Sequence, residues 1–334
     1  MTSDQLRAAV TGFCARTGAD PLLVQGAGGN VSWKDGDTLW VKASGTWLAD
    51  AEAQDIFVPV DLLPLRQALA GGDFSATPAV LGASALKPSI ETLLHALMPQ
   101  RIVVHLHAIE VLAHLVRENF LAPAALAGMG VHAAVVGYHK PGEALAAAVA
   151  EALSASPGAN VVFLKSHGVV IGAADIAEVG HILSSLTSAM RTEPAAMLPV
   201  PSARTSGRGL VGADHALVPD DAIQQLALNP ALFARLAQDW ALYPDHVVFL
   251  GWQAHACASW ADLGAEELPD LLFVQGQGVY ARPALNRARL AQLRCYYDVL
   301  ARQPAGERLA ALGKEQIAEL LNWDAERYRM GLVK

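Results

Sequence analysis

The sequence predicts a layered α/β fold built on a mixed sheet, and three observations support this class. Helical and strand patterns alternate from residue 4 to about residue 192. Two short apolar runs, at 101–104 and 160–164, are typical of buried strands. The chain has 334 residues, of which 53% are hydrophobic, so it can bury one large core or two ordinary ones.

The first part of the chain is predicted element by element from its apolar spacing. Short β-branched or alternating runs indicate strands, and apolar residues recurring every three to four positions indicate helices. Pro88 and Ser89 are typical of a helix start, which gives Glu91 a helix of its own. In order, we expect a helix at 4–17, strands near 22–25, 31–33, 38–42 and 57–58, a helix at 60–70, the helix after Pro88, a strand from 101, a helix at 108–118, a strand at 131–136, a helix at 142–154, two strands around His167 and a helix at 174–192.

A stretch rich in Pro, Ser, Arg and Gly predicts a boundary within the chain. It divides a first domain at 1–198 from a C-terminal α/β extension at 214–334, with a linker at 199–213 between them. The last segment of the extension, 312–328, has the apolar spacing of an amphipathic helix. Such a helix suits packing on its own subunit or on another.

The extension restarts the strand pattern of the first domain. Strands are expected at 245–250 and 270–280, followed by a helix at 284–301. The second strand and its helix are similar to residues 160–188, with Gln277 in the place of His167 and Phe249 near that of His105. Two interpretations of this similarity are open. The extension is a degenerate repeat without metal ligands, or two strand-turn-helix units resemble each other by coincidence.

Three histidines at strand ends predict a metal site. His105 and His107 follow a buried strand, and because side chains alternate along a strand, both point to the same face. His167 ends a second buried strand, directly before Gly168, which permits a sharp turn. Three imidazoles with one position left open are typical of a catalytic Zn²⁺ or a similar divalent ion. Glu91 is the candidate for the missing carboxylate base.

A glycine-rich stretch upstream predicts an anion site. The glycines at 26, 28 and 29 allow backbone N–H groups to approach an anion, and Asn30 and Ser44 can add hydrogen bonds. The stretch is not a dinucleotide fingerprint, because the third glycine is absent and a strand follows it. It is not a P-loop either, because no Gly-Lys-Ser/Thr follows.

Taken together, the motifs resemble the class II aldolase and adducin family, and the resemblance covers about residues 5–195. The closest variety is the rhamnulose-phosphate aldolase-like branch, in particular the aldolase portion of the longer bifunctional aldolase/dehydrogenase proteins. The resemblance implies a mainly antiparallel sheet flanked by helices. The motifs that carry it are, in order, Gly-Gly-Asn-Val-Ser at 28–32, Ser-Gly at 44–45, Ser-x-Glu-x-x-x-His at 89–95, His-x-His at 105–107 and Ser-His-Gly at 166–168.

The resemblance also implies a role for each site residue. Glu91 would be the acid/base, and Tyr138 would protonate the aldehyde oxygen. The ligands of Zn²⁺, or of Mn²⁺ or Co²⁺, would be His105, His107 and His167, and the phosphate pocket would be lined by Gly28, Asn30, Ser44, Gly45 and Ser89.

This site favours a divalent-metal-dependent aldolase that cleaves a ketose phosphate or related hydroxy-ketone through a metal-stabilised enediolate. Ile90 departs from the family pattern, which tends to place a serine there, and Lys42 and Lys87 could compensate with charge. An unphosphorylated or carboxylate-bearing substrate therefore stays open. The alternatives are an epimerase, decarboxylase or dehydratase of the same family, and a non-catalytic adducin-like binding module.

Simpler interpretations exist for single residues. Glu91 alone would be explained as an acid that complements a helix dipole. His95, four residues further on, is more simply a core histidine or a partner of a ligand than a fourth ligand.

Composition narrows the possible partners and the compartment. A net charge of −8 argues against a nucleic-acid surface or an anionic membrane. No signal-peptide pattern or membrane-spanning apolar run is seen, and three widely spaced cysteines do not indicate a disulfide framework. We therefore expect a cytoplasmic enzyme, and the resemblance implies a homo-oligomer, usually a tetramer, that acts on a small molecule.

Overall fold

The computed structural model describes residues 2–200, 215–263, 268–283 and 285–322. Within them, the first part of the chain forms a seven-stranded sheet of order β3-β2-β1-β4-β7-β6-β5. Its strands are β1 (Asn30–Asp35), β2 (Thr38–Lys42), β3 (Phe57–Asp61), β4 (Ile102–Leu106), β5 (Ala133–Val136), β6 (Val161–Leu164) and β7 (Gly168–Ala173). Its helices are α1 (Ser3–Gly18), α2 (Leu62–Ala70), α3 (Thr92–Leu97), α4 (Ile109–Leu115), α5 (Glu143–Ala155) and α6 (Ile176–Ala189).

Helices cover both faces of this sheet. On one face, α1 and α6 pack on Val104 and Ile171. On the other face, α3 and α5 pack on Val103 and Val170. Burial on both faces explains why β4, β6 and β7 are apolar apart from His105. Among the described strands of this sheet, neighbouring pairs are antiparallel except β5 and β6, so the predicted mixed, mainly antiparallel sheet flanked by helices is confirmed.

The extension has a smaller sheet of order β8-β11-β10-β9. Its elements are β8 (Ala216–Leu217), α7 (Asp221–Leu228), α8 (Pro230–Arg235), α9 (Pro244–Leu250), β9 (Ala256–Cys257), β10 (Leu271–Val274), β11 (Gly278–Ala281), α10 (Arg287–Leu300) and α11 (Lys314–Leu321). Residues 201–214, which include most of the predicted linker at 199–213, lie outside the described residues. So do residues 323–334, which include part of the predicted last helix.

The small sheet has the same connectivity as one edge of the large sheet. The four strands β8-β11-β10-β9 correspond to β4-β7-β6-β5 of the large sheet, and in both sets the order in the sheet is first, fourth, third, second along the chain. In both sets the first two pairings are antiparallel and the last is parallel. Their hairpins have the same register, because Leu164 pairs with Gly168 and Val274 pairs with Gly278. Residue 276 and residue 166 both have left-handed backbone, with φ of 67° and 51°.

The extension shares a hydrophobic core with the first part of the chain. Ile109, Leu112 and Val116 belong to the same buried cluster as the apolar residues of α7, α9 and α10. Arg302, beyond α10, also forms an ion pair of 3.0 Å with Glu110 of α4. Helix α4 is therefore packed between β7 of the large sheet and helix α10 of the extension.

Three predicted elements are wrong. Residues 22–25 form a turn instead of a strand, because the Leu22 N–H donates to the Asp20 side chain and the Leu23 and Val24 N–H groups donate to the Asp20 carbonyl. Residues 245–250 belong to helix α9, and the predicted strand at 270–280 is the hairpin of β10 and β11. As a consequence Phe249 does not take the place of His105. Leu217 takes that place instead. It pairs with Tyr280 of β11, just as His105 pairs with Val170 of β7.

The described part of the chain contains no helix with the length and hydropathy needed to span a bilayer.

Candidate metal centre

The three predicted histidines converge at one end of the large sheet. His105 lies near the end of β4, His107 directly beyond it, and His167 in the turn between β6 and β7. All three are buried, and their ligand atoms lie within 4.8 Å of one another. The Nε2 atoms of His105 and His107 are 3.2 Å apart. Two nitrogens bound to one tetrahedral zinc ion, each at about 2.0–2.1 Å, lie roughly 3.3 Å apart, so the donor set fits a divalent cation.

Gly168 makes this convergence possible. A Cβ atom at this position would lie 2.5 Å from the Leu106 carbonyl oxygen and 3.0 Å from the rings of both His105 and His107. Any other residue would push β7 away from β4. Besides permitting the sharp turn predicted from the sequence, Gly168 allows this close approach, which is its main role.

Two observations indicate that His105 and His167 are in a state that can bind a cation. His105 Nδ1 lies 3.1 Å from the Val169 carbonyl oxygen, which can only accept, so Nδ1 carries the proton and Nε2 presents its lone pair to the site. Burial lowers the pKa of His167 to about 3, although the nearby Glu91 charge opposes this shift. His167 is therefore neutral, as a ligand must be.

Glu91 faces two of the histidines from the start of α3. Its Oε1 atom is 3.3 Å from His167 Nε2, and its Oε2 atom is 3.6 Å from His105 Nε2. Asn30 Nδ2 donates a hydrogen bond of 2.7 Å to Oε2, because Asn30 lies opposite His105 in the pairing of β1 and β4. Oε1 accepts no hydrogen bond from the described residues and stays available for a proton or a cation.

The predicted anion-binding residues line a small cavity next to these groups. Gly28, Asn30, Ser44, Gly45 and Ser89 all line it, together with Glu91, His107 and His167. Its volume is about 30 Å³. Ser89 is fixed by a hydrogen bond of 3.2 Å that its hydroxyl accepts from the Glu91 N–H.

Of the three other residues considered for this pocket, two line the cavity and one does not. Ile90 lines the cavity, as does Lys42, whose Nζ donates to the carbonyl oxygens of Ala27, Ala43 and Thr46 at 2.7–3.4 Å. Lys42 therefore ties the glycine-rich loop to the loop of Ser44. Lys87 is exposed and does not line the cavity.

Two predicted residues lie outside the cavity. Tyr138 packs against the core of the extension, and its buried hydroxyl has no hydrogen-bond partner among the described residues. Burial raises the pKa of Tyr138 above its ordinary value. His95 is fully buried behind the site, with Nδ1 2.7 Å from Ser32 Oγ, and it does not belong to the ligand cluster.

One residue of the site was missed by the sequence analysis. Asp245 of α9 lines the cavity, and its Oδ2 atom lies 3.6 Å from His107 Nδ1. It was missed because residues 245–250 were assigned to a strand. Pro244 followed by an acid is typical of a first helical turn, and this signal could have identified α9 but not its contact with His107.

Comparison with known proteins relates the first part of the chain to one family. Residues 13–193, more than half of the chain, match the family model described as the class II aldolase and adducin N-terminal domain. A curated relative, the uncharacterized oxidoreductase YuxG of Bacillus subtilis, is 28% identical over 169 residues, which is 46% of this chain. The chain spans only 24% of the length of that relative.

Solved structures are also similar to this part of the chain. The N-terminal class II aldolase domain of a conserved protein from Thermoplasma acidophilum is 25% identical, with a TM-score of 0.45, and the match covers 57% of this chain and 96% of that one. An L-fuculose-1-phosphate aldolase from Thermus thermophilus is 22% identical, with a TM-score of 0.40, over 56% of this chain and 93% of that one.

Proposed function

Since the chain belongs to the class II aldolase and adducin family, we propose that it is a divalent-metal-dependent aldolase that cleaves a ketose phosphate or related hydroxy-ketone. One observation carries the proposal. The Glu91 carboxylate lies 3.3 Å and 3.6 Å from ring nitrogens of His167 and His105, so a proton-transfer group stands directly beside the candidate metal ligands.

The cation would be held by His105, His107 and His167, and Zn²⁺, Mn²⁺ or Co²⁺ would suit these nitrogen donors. When bound, such a cation supplies a Lewis acid that polarises the carbonyl oxygen of the substrate. The neutral state of His167 and the orientation of His105 prepare the protein for this cation without further proton loss.

Glu91 performs the proton transfer in this proposal. In the cleavage direction the β-hydroxyl group gives its proton to a base, the reverse of the role predicted for Tyr138, and becomes the aldehyde oxygen as the bond between the α and β carbons breaks. The electron pair of that bond stays with the carbonyl-bearing fragment. Glu91 then delivers a proton to the carbon that lost its partner, and in the synthetic direction it removes that proton. The hydrogen bond from Asn30 fixes one carboxylate oxygen and leaves the other available for the transfer. Tyr138 lies outside the cavity, so its role at the aldehyde oxygen stays a prediction.

The far end of the substrate would bind to the other residues that line the cavity. Ser44, Gly45 and Ser89 provide hydroxyl and backbone groups for a phosphate or another anion, and Gly28 and Asn30 complete this lining. As the family resemblance implies, we further propose a homo-oligomer, a tetramer, in the cytoplasm. Light scattering on the purified protein tests the tetramer directly.

The decisive test is a screen of phosphorylated and free ketoses for aldehyde release, using native protein of measured metal content. His107→Ala is expected to lose metal and cleavage together. Glu91→Gln is expected to keep the metal while kcat falls about 10²- to 10⁴-fold. His181→Ala, which changes an exposed histidine of α6, is the matched control and is expected to behave as wild type.

Each other outcome has a definite meaning. Normal turnover by Glu91→Gln would remove Glu91 from the mechanism. A metal-loaded protein that cleaves none of the ketoses would replace the aldolase with an epimerase, decarboxylase or dehydratase, because these reactions use the same proton transfer at the same site. A purified protein that binds no metal would favour the adducin-like binding module.

A further inference from the structure

We propose that Asp245 of the C-terminal extension positions the metal ligand His107, so that the extension completes the metal centre of the first part of the chain. This inference rests on the metal site of the proposed function. Residue 245 lies outside the segment 13–193 that matches the family model.

The two nitrogens of His107 face in different directions. Nε2 lies 3.2 Å from His105 Nε2, inside the ligand cluster, whereas Nδ1 lies 3.6 Å from Asp245 Oδ2. An ionised carboxylate can only accept, so it favours the tautomer with the proton on Nδ1 and the lone pair on Nε2. A carboxylate behind a metal-binding histidine fixes the orientation of the ring and strengthens the ligand.

The extension holds the Asp245 carboxylate in place from a second side. Asp245 is 3% exposed, and Gln292 of α10 donates a hydrogen bond of 3.2 Å from Nε2 to the same Oδ2 atom that faces His107. The Gln292 amide also lies 3.4 Å from the carbonyl oxygen of Gln25, in the chain just before the glycine-rich loop. The carboxylate is therefore part of a buried polar network that joins α9, α10 and the first part of the chain.

The next residue of α9 anchors the helix. His246 is fully buried among the rings of Trp240, Tyr243 and Tyr296, with ring centroids at 4.3, 5.4 and 4.5 Å. These contacts fix the first turn of α9 and with it the direction of the Asp245 side chain. A group held this rigidly can orient another side chain at little entropic cost.

Gly28 keeps the space between the two side chains open. A Cβ atom at this position would lie 3.1 Å from His107 Nδ1 and 3.2 Å from Asp245 Oδ2, tighter than about nine in ten Cβ contacts in proteins. Gly28 is also one of the residues predicted to line the phosphate pocket. The contact between Asp245 and His107 gives a separate physical reason for a glycine here.

The other two ligands do not depend on the extension in this way. His105 is oriented by the Val169 carbonyl of its own sheet, and Nδ1 of His167 has no hydrogen-bond partner among the described residues. The orienting effect of Asp245 should therefore pass through His107, since its carboxylate contacts the Nδ1 atom of that ligand. This predicts weakened metal binding, and it does not predict complete loss.

The test measures metal affinity on the full-length protein without any substrate. Asp245→Asn keeps the size of the side chain and removes its charge, and Asp245→Ala removes the group. Zn²⁺ affinity is measured by competition with a chelator, and the Co²⁺-loaded proteins are compared by visible absorption, which reports the ligand set. The matched control is Asp239→Asn, an acid of the same extension that pairs with Arg235 at 2.9 Å and does not line the cavity.

We expect both Asp245 variants to bind Zn²⁺ about 10- to 100-fold more weakly than wild type, with altered Co²⁺ absorption. Asp239→Asn should stay within about twofold of wild type. Wild-type affinity and absorption in both Asp245 variants would overturn the inference, and so would a wild-type protein that binds no divalent ion. This experiment does not measure aldehyde release. The aldolase proposal is tested separately, by the screen of ketoses.

A second variant keeps the inference falsifiable if the Asp245 variants do not fold. Gln292→Met leaves Asp245 intact but removes the hydrogen bond that holds Oδ2. It should weaken Zn²⁺ binding by a smaller factor than the loss of the carboxylate, about 3- to 10-fold by the same reasoning. Unchanged Zn²⁺ affinity in this folded variant would contradict the positioning role.

Discussion

Glycines control the metal centre at the scale of single residues, and Gly168 gives the clearest prediction. In Gly168→Ala the new methyl group meets the Leu106 carbonyl at 2.5 Å, so β7 must shift away from β4 and His167 from the other two ligands. We expect a loss of about 1–3 kcal/mol in the free energy of unfolding, as is usual for overpacking, and at least a tenfold loss of Zn²⁺ affinity. Urea unfolding and chelator competition measure the two effects.

Gly180 provides the matched control for this substitution. It lies in α6, is exposed, and a Cβ atom there would meet nothing within 4 Å. Gly180→Ala should stabilise the protein by about 0.5–1 kcal/mol, because alanine loses less conformational freedom in a helix, and it should leave Zn²⁺ affinity unchanged. Equal effects of the two substitutions would show that the close approach at Gly168 does not determine the geometry of the site.

The residues of the site were predictable where local rules apply. Strand alternation put His105 and His107 on one face, and the order of the motifs brought in His167, Glu91 and Asn30. Asp245 was not predictable, because its contact with His107 spans 138 positions of the chain (245 − 107) and no local pattern carries that information. Tyr138 shows the opposite case, since a motif position alone does not establish that a side chain reaches the cavity.

Helix α9 shows how tertiary contacts override local propensity at the scale of elements. The run Val247-Val248-Phe249 is β-branched and aromatic, so it favours a strand by itself. The preceding Pro244 stands at the first helical position, and the whole segment is buried in the shared core, which makes the helix stable. Strand and helix cannot be distinguished by periodicity in so short an apolar run.

The buried His246 of α9 predicts a pH dependence of stability. Burial lowers its pKa from 6.5 to about 3, so the unfolded chain binds the proton more readily than the folded one. Stability therefore falls as the pH drops below about 6.5 towards 3, by about 1.4 kcal/mol per pH unit for this group. Replacing it by phenylalanine removes this contribution.

His246→Phe should therefore lie within about 1.5 kcal/mol of wild type at pH 8 and gain about 2 kcal/mol relative to wild type on going to pH 5. Urea unfolding of both proteins at the two pH values measures this difference. Other buried histidines titrate equally in both proteins and cancel in the comparison. A difference that does not change between pH 8 and pH 5 would show that His246 takes up its proton in the folded protein as readily as in the unfolded chain.

The extension and the first part of the chain are joined closely at the scale of the whole molecule. Because the strand order and the hairpin register are repeated, we propose that the extension is a degenerate repeat. At the positions of His105 and His167 it carries Leu217 and Gln277, so it has the topology of one edge of the first sheet without its ligands. Its contribution to the metal centre comes instead from α9, which lies between β8 and β9.

The shared core predicts that the two sheets unfold together. Ile109, Leu112 and Val116 of the first part are buried by the extension, and Arg302 pairs with Glu110 across the same contact, so separating the two parts would expose an apolar face and a buried charge. Hydrogen exchange in increasing urea should therefore show β4 and β10 losing protection at the same urea concentration. Zn²⁺ at 100 times its Kd should raise the stability of both by about 2.7 kcal/mol, because the site involves both parts. Loss of protection in β10 at a urea concentration where β4 stays protected would show that the extension unfolds independently, and Zn²⁺ would then stabilise β4 alone.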